Sequence, residues 1–168
     1  FVLRIEDSDA SRSRVEYIEA LKVDLAWLGI AWSPTIWQQS ERTAIYDEYY
    51  HKLWAQNLAY ACFCTPEELE LQRRLQQAAG RPPRYEGQWA KVSRAEQDRL
   101  IAEGKPYALR MRVPDSGDIV FEDGVKGLQK FKAADIGDFI IRRTDGTPAF
   151  FFCNAIDDSL GGITHVLR

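Results

Sequence analysis

The chain has 168 residues, 45% of them hydrophobic and 28% charged, with a net charge of −3. These values exclude an intrinsically disordered or fibrous chain, and no apolar run approaches the roughly 18 residues of a membrane-spanning helix. The three cysteines, Cys62, Cys64 and Cys153, are an odd number that does not read as a disulfide framework, so a reducing, cytoplasmic compartment is expected.

Residues 1–5 (FVLRI) form a short apolar run that reads as a buried strand, its C-terminal end opening onto Glu6, Asp7 and Asp9. In open α/β sheets ligands bind outside the carboxyl ends of strands, where acids suit an ammonium or a hydroxyl group. The same acids suit a duller use as helix caps, with Asp9 and Ser11 as N-cap candidates. Val15, Ile18, Leu21, Leu25 and Leu28 recur at spacings of three and four and predict one apolar helix face, stopped by Gly29. Strand, loop and helix make half of a βαβ unit. Residues 32–39, with Pro34, read as a loop. A second helix is expected over 40–57, with Ile45, Tyr49 and Leu53 on one stripe and Tyr46, Tyr50 and Trp54 beside it as aromatic core.

The texture changes near residue 60. Thr65 and Glu68 form a capping-box pair around Pro66, predicting a helix to about residue 79 that breaks at Gly80-Arg81-Pro82-Pro83. Ser93 and Glu96 form a second such pair, and that helix ends near Gly104. Strands are predicted over 107–113, 119–122, 128–132 and 138–143, with a hairpin-grade turn at Asp145-Gly146. An apolar, aromatic helix segment over 149–156 leads to Asp157 and Asp158, and a last strand is predicted over 163–167. The order describes an α/β domain (1–60 and 149–168) split by an inserted α+β domain over 61–148. The chain opens on a strand without an initiator Met, its only Met being Met111, and stops after a strand-like run, so an internal piece of a longer protein is expected.

Charge is uneven. Residues 1–71 carry 6 basic and 12 acidic groups, whereas residues 72–112 carry 10 basic and 4 acidic groups. Such a basic segment suits a phosphate-facing surface, or simply a solvated helix and loop. Asn154, next to Asp157 and Asp158, needs partners if buried, because an unsatisfied amide costs about 1–3 kcal/mol; a polar ligand or the backbone would serve. Cys62-x-Cys64 is half of a zinc site and reads more simply as two small buried hydrophobes. Arg168 has the fork that grips a carboxylate, or is solvated. There is no P-loop, no Gly-rich dinucleotide fingerprint and no Ser/His/Asp grouping. Composition and spacing alone stop at a split α/β domain with its ligand unassigned.

Taken in series, FVLRIEDSD (1–9), WQQSER (37–42), AYACFCTPEEL (59–69), RPPRYEG (81–87), DFIIRRTDGTPAF (138–150) and NAIDDSLGGITHVLR (154–168) resemble bacterial glutamyl-tRNA synthetase in order and approximate spacing. The resemblance implies a partial class I synthetase catalytic domain of Rossmann type, interrupted by an inserted α+β domain that binds the tRNA acceptor stem. It implies that Glu6 binds the α-ammonium of glutamate and that Asp9 lies near the terminal adenosine of tRNA. Asn154 would be an amide of the glutamate pocket, and Arg168 would pair with the substrate carboxylate. Phe150 stands where the family usually has a substrate-binding Tyr, keeping the ring and losing the hydroxyl. Some members hold zinc through Cys-x-Cys and ligands after a Tyr-Asp-Gly stretch; here Trp89 and Lys91 occupy those later positions, and no zinc is expected.

The His-Ile-Gly-His-type and Lys-Met-Ser-Lys-Ser-type motifs of the family would fall before Phe1 and after Arg168. ATP with Mg2+ would therefore be held mainly by parts outside this chain, no catalytic residue is expected within it, and the piece alone is expected to be inactive. The implied activity is glutamate–tRNA ligation: L-glutamate is activated with ATP and passed to the 3′ end of tRNA(Glu). The basic segment offers Arg73, Arg74, Arg81 and Arg84 as tRNA contacts. The alternatives are the shorter paralogue that glutamylates queuosine on tRNA(Asp), and a non-catalytic tRNA-binding module. A cytoplasmic monomer with no membrane contact is expected.

Overall fold

The computed structural model describes residues 1–9 and 13–166. They contain strands β1 (Leu3–Ile5), β2 (Ile36–Gln38), β3 (Ala59–Cys62), β4 (Ala108–Met111), β5 (Asp118–Asp123), β6 (Gly127–Lys132) and β7 (Ile140–Arg142). The α-helices are α1 (Val15–Trp27), α2 (Thr43–Ala55), α3 (Pro66–Ala78), α4 (Arg94–Ala102), α5 (Ala133–Ile136) and α6 (Phe150–Leu160). Two compact units emerge: Phe1–Tyr49 with Thr147–Arg168, and Tyr50–Gly146. No described helix is long and apolar enough to cross a membrane.

In the first unit β1 and β2 pair in parallel, Leu3 opposite Ile36 and Ile5 opposite Gln38. Helix α1 is the crossover that a parallel pair requires. The segment expected as a loop over 32–39 thus contains β2. Three residues following Pro34 show no alternation, and only pairing with a distant strand makes them a strand. Helix α1 ends as expected, with Gly29 in the left-handed region at φ +72°. Its N-cap is Arg14, without a side-chain cap bond, so Asp9 does not cap it; Ser11 lies outside the described residues. The expected apolar face is only partly covered: Ile18 and Leu25 are half-buried, Val15, Leu21 and Leu28 are exposed, and Trp27 is 84% exposed.

Helix α6 packs against β2. Its C-terminal Gly161 has ordinary helical φ, so it is glycine for space rather than for backbone freedom. A Cβ there would lie 3.0 Å from Trp37 Cη2 and 3.1 Å from the Asp157 carbonyl oxygen. The predicted strand over 163–167 does not form: residues 163–166 are irregular, and 167 lies outside the described residues. Its apolar run follows Gly161-Gly162 and pairs with no described strand.

In the second unit β3, β4 and β7 form an antiparallel sheet in the order β3-β4-β7, and β5 and β6 form a separate ribbon. Both local helix signals hold. Thr65 accepts from the Glu68 amide while Glu68 accepts from the Thr65 amide, closing the box that starts α3. Ser93 accepts from the Glu96 amide to start α4, although the Glu96 carboxylate turns to Arg99. Asp145-Gly146 makes a turn, with the Gly146 amide donating to the Arg143 carbonyl. That turn leads from β7 toward α6 rather than joining two strands. The buried apolar residues of this unit are Tyr50, Ala59 to Cys62, Leu100, Ala108, Leu109, Ala133 and Ile141.

Asp7 fastens β1 to the segment after β2. It accepts from the Ser40 amide (2.9 Å), the Ser40 hydroxyl (2.7 Å) and Gln38 Nε2 (2.7 Å). Partial burial pushes its carboxyl pKa up, and the Ser40 and Gln38 bonds more than reverse this, so the net direction is down. A carboxyl depressed in the folded state adds stability above its ordinary pKa of about 4 and loses it as pH falls through the lower folded value. The Asp7→Asn variant should therefore show a shallower loss of stability than the parent below about pH 4. Parallel acid-unfolding curves would refute the clamp. Gly161→Ala overpacks Trp37 and should lower stability in urea unfolding by about 1–2 kcal/mol; an unchanged midpoint would show that the ring moves aside freely.

Candidate functional site

The first unit buries three polar side chains together. Gln39 and Asp157 are fully buried and Asn154 is 3% exposed. Gln39 comes from a short 3-10 helix, Gln39–Arg42, directly after β2. Asn154 and Asp157 are three residues apart on α6, which places both on one helix face. A buried carboxylate must be paired and hydrogen-bonded, and Asp157 is. Arg42 Nε donates to Oδ1 at 2.9 Å, while Tyr46 Oη (2.9 Å) and Gln39 Nε2 (3.3 Å) donate to Oδ2. Burial first, and then the Asp157 bond, raise the Tyr46 pKa far above its ordinary value, so the phenol remains a donor. Trp37 stacks on the Arg42 guanidinium at 4.4 Å and thereby shields the ion pair.

Gln39 Nε2 also donates to Asn154 Oδ1 at 2.8 Å. Two polar atoms of this group have no hydrogen-bond partner, Gln39 Oε1 and Asn154 Nδ2. Beside the network, Arg4 on β1 pairs with Asp158 and donates to Glu6 at 3.0 Å. Glu6 is exposed on one side of Arg4, and Phe150 opens α6 at 39% exposure, edge-on to Phe151. Of the expected ligand-binding residues, Glu6 and the α6 pair Phe150 and Asn154 thus lie on elements joined by the Arg4–Asp158 pair. Asp9 is exposed and its carbonyl accepts from the Ser13 amide. Arg168 lies outside the described residues. Gln39 and Arg42 carry no local sign of their role beyond the string WQQSER, which marks only the resemblance, and Tyr46 is legible as core aromatic but not as a partner of Asp157.

The basic segment of the second unit resolves into two kinds of arginine. Arg110 is 6% exposed, stacks on Tyr85 at 3.8 Å and donates to the Asp138 carbonyl. Arg112 donates to the carbonyls of Asn57 and Ala90, and Arg94 stacks on Trp54 at 3.5 Å. These three hold the unit together. Arg73 and Arg74 are exposed on α3 and share Glu70; Arg81, also exposed, lies 3.9 Å from Glu86, and Arg84 donates to the Ala134 carbonyl. Arg81 and Arg84 also line a cleft of about 790 Å³, but Glu86, Asp115, Asp135 and Asp138 share its walls, so the cleft itself is not basic.

The Cys-x-Cys pair does not fit zinc. The Cys62 thiol faces Tyr85 Oη at 3.6 Å, and Gln88 Nε2 donates to Cys64 Sγ at 2.8 Å. Burial, followed by the neighbouring Cys62, pushes the Cys64 thiol up to about 11. Trp89 packs its ring on Phe63 at 4.8 Å. No group of three or more His, Cys, Asp or Glu placed to hold a metal occurs among the described residues, whereas a structural zinc needs four ligands.

The chain resembles known proteins along its whole length. The chain is 53% identical to Glutamate–tRNA ligase 1 of Methylococcus capsulatus, an alignment covering 100% of this chain and 38% of that protein. It is 51% identical to Glutamate–tRNA ligase 2 of Alkalilimnicola ehrlichii, covering 100% of this chain and 37% of that protein. The chain thus spans under two-fifths of the length of these curated relatives. A crystal structure of a glutamate tRNA ligase from Elizabethkingia meningosepticum, in complex with its amino acid, superposes with a TM-score of 0.88 at 31% identity over 99% of this chain and 36% of that one. Residues 1–168 match the family described as tRNA synthetases class I (E and Q), catalytic domain, and the chain belongs to that family.

Proposed function

We propose that the protein of which this chain is a part is a glutamate–tRNA ligase, activating L-glutamate with ATP and transferring it to the 3′ end of tRNA(Glu). The observation that carries the reading is the buried amide of Asn154. In a chain of this family it presents an unpartnered donor, Nδ2, on the helix whose start carries Phe150. A carboxylate is the natural acceptor for such a donor. Glu6, exposed at the end of β1, is the anion for the substrate ammonium, with Arg4 fixing its position. Arg168 is the proposed guanidinium for the substrate carboxylate. Phe150 supplies a ring without a hydroxyl, so its contact is apolar.

ATP, when bound, supplies the phosphoanhydride whose cleavage drives activation. This chain's residues bind and orient the amino acid, and no phosphate-binding loop is among them. The Tyr50–Gly146 unit supports the further reading of 61–148 as an inserted domain that grips the acceptor stem. Arg73, Arg74, Arg81 and Arg84 are its phosphate contacts, and Asp9 lies near the terminal adenosine.

Two measurements test this. The full-length protein should catalyse pyrophosphate exchange that depends on glutamate and is not supported by glutamine; exchange with neither amino acid would defeat the assignment. Replacing Arg73, Arg74, Arg81 and Arg84 together by Ala should weaken tRNA binding at least about tenfold and flatten its salt dependence, while leaving exchange unchanged. Unaltered tRNA affinity would remove these arginines from the interface.

A further inference from the structure

We infer that Gln39 is a positioning residue that locks the Asn154 amide with its NH2 group facing the amino-acid substrate, the lock being set by Asp157. The inference rests on the proposed ligase reading and adds a residue to it.

The Asp157 carboxylate, paired with Arg42, offers only acceptors to its neighbours. The Gln39 group that points at Asp157 Oδ2 must therefore be its NH2. That NH2 is also the group 2.8 Å from Asn154, so the Asn154 atom facing it must be the carbonyl oxygen. An amide has two ends; once Oδ1 is committed to Gln39, Nδ2 is turned away from it and is the donor left over. Reversing the Asn154 amide would set NH2 against NH2, and reversing both amides would set the Gln39 oxygen against a carboxylate. The orientation is thus dictated from the buried charge outward, one group at a time.

The other buried glutamines show that incomplete bonding is not the habit of this fold. Gln97 accepts from the Ala61 amide and donates to the Trp89 and Val92 carbonyls. Gln76 accepts from the Arg84 amide and donates to the Arg84 carbonyl and Glu86. Both are satisfied at both ends. Among the described residues Arg110 Nε is the other buried side-chain polar atom without a partner, and only the Gln39–Asn154 pair leaves both an acceptor and a donor open, a state that costs free energy unless something polar meets it. A ligand carrying an acceptor for Nδ2 is what this geometry selects. Without Gln39 the same amide can rotate and offer its oxygen, which repels a carboxylate.

The test uses the full-length protein and the near-isosteric Gln39→Met. Glutamate KM in pyrophosphate exchange should rise about tenfold, with ATP KM and kcat within about twofold. In the Gln39→Met background, Asn154→Ala should add far less to glutamate KM than it does in the parent, because an unlocked amide has little left to lose. Should Gln39→Met fail to fold, Gln39→Leu removes the amide without setting a second carboxylate beside Asp157 and should raise glutamate KM in the same way. Unchanged glutamate KM in the folded variant, fully additive effects with Asn154→Ala, or a parallel rise in ATP KM would each overturn the positioning role. Loss of glutamate-dependent exchange in the parent itself would instead overturn the functional reading.

Discussion

A single buried negative charge organises the first unit. Asp157 has no exposed side-chain surface, and a carboxylate in that position is tolerable only when every oxygen is engaged. Meeting that demand recruits Gln39 and Arg42 from the 3-10 helix and Tyr46 from α2. Each recruit brings a further constraint: Arg42 carries Trp37 on its face, and Trp37 leaves no room for a side chain at Gly161. Removing one partner of such a pair costs several kcal/mol, because the other charge is left buried alone. The cluster therefore ties β2, α2 and α6 into one arrangement. Its outermost member, Asn154, is aimed as a consequence of the charge rather than by a contact of its own.

Features set by neighbours a few residues apart were legible in the sequence. The Thr65–Glu68 box, the positive-φ Gly29 stop and the aromatic stripe with Tyr46 and Tyr50 at its buried edge all depend on helical spacing, and all stand. Features set by distant partners were not legible. Strand β2 exists because Leu3 to Ile5 lie beside it. Residues 163–166 resemble a strand but find no partner among the described residues. Asp7 looks like a cap from its position before a helix, yet its acceptors are spent on Ser40, 33 residues away.

The site was half visible for the same reason. That a buried Asn154 must have partners follows from the cost of an unsatisfied amide, and the bland alternative, a backbone bond, is not what the structure holds. The actual partner, Gln39, is 115 residues distant, and a glutamine in a string of polar residues carries no local sign of burial. Charge counting erred in the opposite direction. The basic run over 72–112 suggests one cationic surface, but Arg94, Arg110 and Arg112 spend their guanidinium groups on aromatic rings and backbone carbonyls. What is left for a polyanion is the exposed set Arg73, Arg74, Arg81 and Arg84, with Lys91, Arg99 and Lys105. Net charge reports composition, and only burial separates structural arginine from available arginine.

The central claim is that Asp157, acting through Gln39, presents Asn154 as a donor to the amino acid. A crystal structure of the full-length protein with L-glutamate bound tests it most directly. The account predicts Asn154 Nδ2 within about 3.2 Å of a glutamate carboxylate oxygen, with Gln39 Nε2 still on Oδ1. A glutamate whose oxygens all bond elsewhere, or an Asn154 whose amide has turned away from Gln39, would contradict it.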